Sequence, residues 1–295
     1  MNTPAHLGRI CSATVLAPDF DVALASYQQA LGAQVSGLET LHPELASHLA
    51  LDDLAGMRVA GIATGAAPWL RGVEAPSAVT QPPMQLHGWL SLEVLVADVD
   101  TLAASLPDNW RMLRPPADLD VSPDIRACQV LGPSGELYYF TQVRADVPPF
   151  ELPQTSLPVD RPFIVVLSTP DRDRTQAAWE ALAGRDAWAF DTRITVLNHA
   201  LNRPLESRYP VAVLQFRDRC LIEIDEVAPA SPRKPGVRYA GVHLVSIERD
   251  RLDGDIAGLG PVIHLDAAGY QGRRAGLWQG PSGERVELIE QPVIG

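Results

Sequence analysis

The chain contains four runs of apolar and β-branched residues, each of which ends at an aspartate. The runs occupy residues 12–19, 91–98, 164–171 and 243–250, so that successive aspartates lie 79, 73 and 79 residues apart. Runs of this kind favour β-strands, and an aspartate placed just before a helix is a preferred N-cap. The stretches after the first and third runs have near-helical spacing and stop at Gly32 and Gly184, a typical helix end. The pattern therefore predicts a strand followed by a helix, four times.

Further short strand-like runs follow each helical stretch, which makes each unit β-α-β-β-β. In the third unit these runs are 194–197, 211–216 and 220–224. A second repeat, Gly-Pro-Ser-Gly-Glu, occurs at 132–136 and again at 280–284, each time before the predicted last strand of a unit. We therefore predict that units one and two form one half of the protein and units three and four the other, joined by the proline-rich segment 146–162.

Composition and charge narrow the class of protein. The chain has 46% hydrophobic and 20% charged residues, which is ordinary for a globular protein. Its 24 basic and 36 acidic residues give a net charge of −12, which disfavours nucleic acid as a partner. Only one of the basic residues is a lysine, Lys234, in a turn-like stretch. Three widely spaced cysteines, no signal-peptide pattern and no long apolar stretch predict a cytoplasmic protein that does not enter the membrane.

These features resemble the vicinal oxygen chelate superfamily, which includes glyoxalases, extradiol dioxygenases and bleomycin-resistance proteins. The strand-to-aspartate openings, the Tyr27…Leu31-Gly32 helix end and the closing strand 280–288 carry the resemblance. It implies an α+β fold in which four βαβββ units pair into two open eight-stranded cups. On this interpretation, residues 1–147 form an N-terminal glyoxalase-like domain with a degenerate site, 148–160 a linker, and 161–295 a C-terminal glyoxalase-like domain with the site.

The resemblance also implies where metal ligands would lie: seven residues before each aspartate and in the last strand of each unit. In the C-terminal half these positions are Ile164, Glu223, His243 and Glu287, of which Ile164 departs from the pattern. In the N-terminal half they are Ser12, a position near Arg71 or Gly72, Ser91 and Tyr139, which make no plausible metal site. We therefore expect His243, Glu287 and Glu223 to be the metal ligands.

One imidazole and two carboxylates suit a divalent ion such as Fe, Mn, Ni, Co or Zn, with positions left open for a substrate. Such an ion would polarise a carbonyl or bind two vicinal oxygens. Each residue also has a structural interpretation: a histidine in an apolar strand is often a core residue, and a carboxylate there needs water, a cation or a pocket.

Other residues are candidates for catalysis and substrate binding. Glu206 and His199 lie in a polar stretch of the third unit and could supply a base, or could simply be part of an exposed loop. Arg273, Trp278 and Tyr270 precede the last strand and could line the cup. No GxGxxG, P-loop, HExxH or GxSxG motif occurs, which argues against nucleotide cofactors and the common hydrolases.

Two functions of different classes remain open at this point. The first is a metal-dependent enzyme, either a lyase or isomerase or a ring-cleaving dioxygenase, acting on a small oxygenated substrate in the C-terminal cup. The alternative is a metal-free protein that binds or sequesters a small molecule, in which an apolar Ile164 is expected. A purely structural role is a third interpretation, and either a monomer or a homodimer fits two cups per chain.

Overall fold

The computed structural model describes residues 6–120, 122–254, 256–265 and 269–292. Four successive units build the chain. The first contains β1 (Leu7–Ala17), α1 (Phe20–Leu31), β2 (Gln34–Thr40), α2 (Pro43–His48), β3 (Arg58–Ala63) and β4 (Leu70–Glu74). The second contains β5 (Gly88–Val96), α3 (Val99–Ser105), β6 (Arg111–Leu119), β7 (Ser122–Leu131) and β8 (Leu137–Val143).

The third and fourth units continue the same order of elements. The third contains β9 (Val159–Thr169), α4 (Arg172–Ala183), β10 (Trp188–Arg193), α5 (Thr195–Ala200), β11 (Arg208–Gln215) and β12 (Leu221–Glu226). The fourth contains β13 (Gly241–Arg249), β14 (Leu259–His264), β15 (Arg274–Gln279) and β16 (Arg285–Glu290). Among the described residues no helix is long and apolar enough to cross a bilayer.

The aspartates that end the first strands cap helices in three units. Asp19, Asp98 and Asp171 each accept a hydrogen bond from a backbone N–H in the first turn of the helix that follows. Asp250 does not, because the described residues between β13 and β14 form turns rather than a helix. Its carboxylate instead pairs with His6, 2.8 Å away. The predicted helix of the fourth unit is therefore wrong for the described part of that segment.

One predicted strand is also a helix. Residues 194–197 were expected to be extended because they are rich in β-branched side chains, yet Thr195–Ala200 forms α5. Val196 and Leu197 of this helix are buried in an apolar cluster on one face of the second sheet. Tertiary packing therefore overrides the local strand preference, which is weak for so short a run.

The two sheets each have eight strands, but their composition differs from the sequence-based prediction. The first sheet has the order β14-β15-β16-β13-β1-β4-β3-β2, and the second has the order β10-β11-β12-β9-β5-β8-β7-β6. Unit one therefore pairs with unit four, and unit two with unit three. The predicted pairing of one with two and of three with four is wrong at the level of the sheets. The reason is that β1 pairs antiparallel with β13, and β5 with β9, so each sheet takes strands from both sides of the proline-rich segment.

The repeated Gly-Pro-Ser-Gly-Glu turn connects the units in a second way. Its glutamates, Glu136 and Glu284, are buried. Tyr27 of α1 donates a hydrogen bond to Glu136, and Trp179 of α4 donates one from Nε1 to Oε1 of Glu284 at 3.0 Å. The turn of unit two thus holds the helix of unit one, and the turn of unit four holds the helix of unit three.

Apolar clusters divide the molecule into a shared centre and two outer faces. The largest cluster contains buried residues of α1, α3, α4 and both sheets. A separate cluster covers the opposite face of the second sheet, and two smaller ones cover that of the first. We call the face of the first sheet that carries Glu287 the first cup, and the face of the second sheet that carries Glu223 the second cup.

Candidate functional site

A buried carboxylate, Glu287, lies on the floor of the first cup. Strand alternation places it on the opposite face from its neighbours Val286 and Leu288, which belong to the central cluster. Its side chain is fully buried and accepts hydrogen bonds at both oxygens. Ser246 Oγ donates to Oε2 at 2.5 Å, and the Tyr270 hydroxyl donates to Oε1 at 2.5 Å.

His48 completes the hydrogen bonds to this carboxylate from the other end of the sequence. Its Nε2 lies 2.9 Å from Glu287 Oε1. The short helix α2 carries it, and Ala46 and Leu49 at the end of that helix pack in an apolar cluster of the first cup. This packing directs His48 towards the floor of the cup.

Arg71 supplies the positive charge beside Glu287. Its Nη1 lies 3.6 Å from Glu287 Oε2, and its Nη2 donates to the Tyr270 hydroxyl at 2.7 Å. The guanidinium also lies 5.4 Å from the centre of the Tyr270 ring, a cation–π distance. The position follows from topology: β4 pairs with β1, β1 with β13, and β13 with β16, so Arg71 and Glu287 share one sheet face.

The charge of Glu287 depends on these neighbours. Burial on its own would raise its pKa, but the Arg71 charge and the hydrogen bonds from His48 and Ser246 outweigh it and lower the pKa to about 2. Burial and the Glu287 charge raise the pKa of Tyr270 well above its ordinary value, against the opposing effect of Arg71. At neutral pH the floor therefore holds a carboxylate, a guanidinium and a neutral phenol.

A cavity of about 390 Å³ opens above this floor. Its polar lining includes Arg71, Tyr270, Arg273 and Ser12 together with the carboxylate of Glu39, and Leu45 and Val59 contribute apolar groups. Arg273 Nη1 lies 3.0 Å from Glu248 Oε1, which also lies 3.0 Å from Arg9 Nη2, so two cations share one carboxylate. The volume falls within the range of small-molecule sites.

His243 does not take part in this floor. It lies at an irregularity in the β1–β13 register, and its Nε2 is 3.0 Å from the backbone oxygen of Leu49. Burial, and then the charge of Arg285, lower its pKa to about 3, so its ring is neutral at physiological pH. It lines a different cavity from Tyr270 and Arg273.

Glu223 lies in the other sheet, so the predicted set of three ligands is not brought together. It is in β12, where its Cα pairs with that of Val166. Its carboxyl group is close enough to Asp225 and Glu93 to influence their pKa values. The grouping of Glu223 with His243 and Glu287 was wrong because it assumed that units three and four share a sheet.

The first cup does not fit a divalent metal ion. With units one and four in one sheet, the positions implied by the resemblance are Ser12, one near Arg71 or Gly72, His243 and Glu287. Arg71 carries a guanidinium that already balances the Glu287 charge. Within the described ranges no group of three or more His, Cys, Asp or Glu side chains could hold a metal.

The remaining predicted residues fall into two classes. Tyr270 and Arg273 line the cavity of the first cup, as expected for binding residues. Trp278 instead packs in the central cluster, only 3% exposed, and donates from Nε1 to the backbone oxygen of Ala257. Alternation along β15 puts it on the opposite face from the cup.

The two predicted catalytic residues lie on the surface. His199 is exposed on α5. The side chain of Glu206 is 85% exposed and lies 3.3 Å from Arg193 Nη1. Both are therefore solvent-exposed, as the alternative interpretation held, although His199 lies on a helix and not in a loop.

Sequence reasoning missed three residues of the floor: His48, Arg71 and Ser246. Arg71 stood near a position where the resemblance places a ligand, but it was assigned to a degenerate half. Pairing unit one with unit four would have placed it beside Glu287. No sequence signal singled out His48, because α2 interrupts the expected run of strands.

Comparison with solved structures confirms the fold. Glyoxalase I from Zea mays is similar to this chain with a TM-score of 0.57 and 15% identity, over 96% of this chain and 92% of that one. A candidate dioxygenase from Bacillus subtilis has a TM-score of 0.59 and 11% identity, over 98% and 87%. No family model matches the chain, and no curated protein sequence does. The fold that the resemblance implied, with two eight-stranded sheets built from four units, is thus confirmed, and at this identity the likeness concerns the fold alone.

Proposed function

We propose that the first cup is a metal-independent binding site for a small organic molecule that carries a carboxylate or carbonyl group. The observation that carries this proposal is that Arg71, held 3.6 Å from the buried Glu287, lines a cavity of about 390 Å³. A guanidinium fixed there offers N–H donors to which a carboxylate or carbonyl oxygen can bind. This proposed function corresponds to the metal-free alternative that the sequence left open.

The remaining hydrogen-bond capacity of the cavity favours an oxygen-bearing ligand. Arg71 has five N–H donors; among the described residues Nη2 donates to Tyr270 and Nη1 to Thr14, and Nη1 also lies 3.6 Å from Glu287 Oε2. Its side chain is 16% exposed and faces the cavity. Bidentate binding of a carboxylate by arginine is a strong interaction, and the apolar lining suits the body of the ligand.

The state of Glu287 favours binding over proton transfer. A general base works best when its pKa lies near the pH of the reaction. The pKa of Glu287 is about 2, so it is a poor proton acceptor at neutral pH. Its role in this proposal is to hold Arg71, Tyr270 and His48 in place.

Benzoate is a suitable probe, because it combines a carboxylate with an apolar ring, and benzamide is its uncharged counterpart. We expect benzoate, and not benzamide, to raise the melting temperature of purified protein in the presence of EDTA. Arg71→Met should abolish the shift. Arg126→Met, which removes a surface arginine paired with Asp100 and Asp118, is the matched control and should retain it.

The metal-dependent enzyme predicted from the sequence makes the opposite prediction. Elemental analysis of the purified protein, repeated after incubation with Fe, Mn, Ni, Co or Zn salts, should find no stoichiometric metal. One tightly bound ion per chain that is lost with Glu287→Gln would overturn the proposal, as would equal benzoate shifts in both arginine variants.

A further inference from the structure

A second and larger cavity, of about 930 Å³, lies where all four units meet. Each unit contributes to its lining: Ala50 follows α2, His87 precedes β5, Pro170 follows β9 and Arg285 begins β16. Segment 232–239, which connects units three and four, forms much of one wall. The cavity shares no lining residue with that of the first cup.

The lining is basic in a protein that is acidic as a whole. Four cations, Arg233, Lys234, Arg238 and Arg285, face two carboxylates, Asp52 and Asp53. The two histidines of the lining, His87 and His243, are neutral at physiological pH, because burial lowers both pKa values. The cavity therefore carries about two positive charges, whereas the chain carries −12.

Only one of the four cations, Arg238, forms an ion pair with a carboxylate among the described residues. Arg238 is paired with Asp53, its Nε lying 3.0 Å from Oδ1. Arg233 instead donates from Nε to the backbone oxygen of His87 at 3.2 Å, and its guanidinium lies 5.5 Å from the centre of the Tyr239 ring. No carboxylate among the described residues contributes to the pKa of Arg233 or of Arg285.

Neighbouring cations destabilise the charge of both arginines. Burial, and then the charge of Arg285, lower the pKa of Arg233 to about 10. Burial and the charge of Arg238 lower the pKa of Arg285. Like charges that line one cavity, without a carboxylate partner among the described residues, are the arrangement expected of an anion-binding site.

We propose that this cavity binds a small organic phosphate, with Arg233 and Arg285 as the principal contacts of the phosphate group. A phosphate monoester carries a charge of about −1.5 to −2 at neutral pH, which matches the surplus of the lining. Pro170, Val237 and Tyr239 provide an apolar surface for the organic part. The volume suits a ligand of the size of a phosphorylated metabolite, and the negative charge of the whole chain disfavours a nucleic acid strand or an anionic membrane.

Lys234 allows the proposal to be tested without any mutation. It is the only lysine of the chain and it lines this cavity. Acetylation of its amine can therefore be followed at a single site by mass spectrometry. We expect phenyl phosphate at millimolar concentration to slow acetylation of Lys234 in the wild-type protein several-fold, and phenol to have no effect.

Variants then identify the residues that bind. Arg285→Met and Arg233→Met should each weaken the affinity for phenyl phosphate at least ten-fold in calorimetry. Arg274→Met, which removes a surface arginine of β15 paired with Asp253 and Glu290, is the matched control and should bind as the wild type does. Since the benzoate site shares no lining residue with this one, the benzoate shift should be unchanged in Arg285→Met.

Three results would overturn the proposal. One is equal acetylation of Lys234 with and without phenyl phosphate. The second is equal affinity in Arg285→Met and Arg274→Met, and the third is protection by citrate but not by phenyl phosphate, which would indicate a polycarboxylate ligand. The acetylation measurement decides the question even if an arginine variant fails to fold.

Discussion

The two cups differ most in the charges at corresponding strand positions. In the first cup Glu287 lies beside Ser246, and Arg71 beside Thr14. In the second cup the same strands of the repeat place Glu223 beside Val166, and Tyr139 beside Glu93. The first cup thus pairs a carboxylate with a cation, whereas the second brings carboxyl groups together with a phenol.

This difference shifts the pKa values of the buried carboxyl groups in opposite directions in the two cups. With Arg71 nearby, the pKa of Glu287 falls to about 2. In the second cup, burial and the Glu223 charge raise the pKa of Glu93 to about 8, and burial also raises that of Glu223. One strand position therefore decides whether a buried carboxyl group of this fold is ionised.

The second cup is also more completely filled. Its apolar cluster includes Val147 and Leu152 of the proline-rich segment as well as Val196 of α5. Within it, Asp225 Oδ1 and Gln129 Oε1 are buried without a hydrogen-bond partner among the described residues. The first cup keeps its polar groups satisfied and its cavity open, which is why the binding function is proposed there.

Removing the cation of the first cup should have the largest effect. Arg71→Met leaves Glu287 buried without its cation, and breaking a buried ion pair in this way costs about 3–5 kcal/mol. We expect urea denaturation at pH 7 to show a loss of that size. The double variant Arg71→Met/Glu287→Gln should recover much of it, and an equal loss in both variants would contradict the role assigned to Arg71.

The pH dependence of stability should have opposite signs in the two cups. Glu93 is protonated in the folded state up to pH about 8, whereas in the unfolded chain it ionises above about 4.5. It therefore lowers the free energy of unfolding as the pH rises from 4.5 to 8. Glu93→Gln should make the protein more stable at pH 8, by about 2–4 kcal/mol, and should leave its stability at pH 4 nearly unchanged.

Glu287 provides the matched comparison. Its pKa is lower in the folded state, so it contributes stability above pH 4.5 that is lost as the pH falls towards 2. Glu287→Gln should therefore reduce stability at pH 7 and have little effect at pH 2. Unfolding curves in urea across this pH range would test both variants, and equal slopes for the two would contradict the contrast between the cups.

A smaller effect is expected from the tyrosine that joins Arg71 and Glu287. Tyr270→Phe keeps the ring and its cation–π contact but removes a hydrogen bond to each charged partner. Hydrogen bonds to charged groups contribute about 1.5–3 kcal/mol each, and relaxation of the neighbours reduces the loss. We expect a loss of about 1–2 kcal/mol in thermal or urea unfolding, with weaker benzoate binding. Unchanged benzoate affinity would place the ligand away from Tyr270.

The smallest effects should come from the exposed candidates of the third unit. His199→Ala and Glu206→Gln should each change stability by less than about 0.5 kcal/mol, as is usual for surface substitutions. Neither should alter the benzoate shift. A large effect of either on ligand binding would show that this surface, and not the floor of the first cup, forms part of the site.

The sequence predicted local features well because they depend on neighbouring residues. The strand runs, the aspartate caps and the helix ends at Gly32 and Gly184, whose φ angles are 63° and 65°, all follow from residues close in the chain. Which units share a sheet could not be predicted, because the first strands of all four units have similar patterns. Any pairing of these strands buries similar side chains. Glu287 was placed on the inward face correctly from alternation, whereas its cation could be found only once β4 was known to share its sheet.

The pairing of units also has a consequence for the order in which the protein assembles. All strands of the second sheet lie between residues 88 and 226, whereas β1 of the first sheet must wait for β13, which begins at residue 241. On a ribosome, which delivers the chain from its N-terminus, the second sheet can close first while unit one still exposes the edge of β1. The first sheet then forms last, next to a second sheet that has already folded. The proposed binding cup would thus be completed only at the final stage of synthesis, when β16 has been made and Glu287 can pair with Arg71.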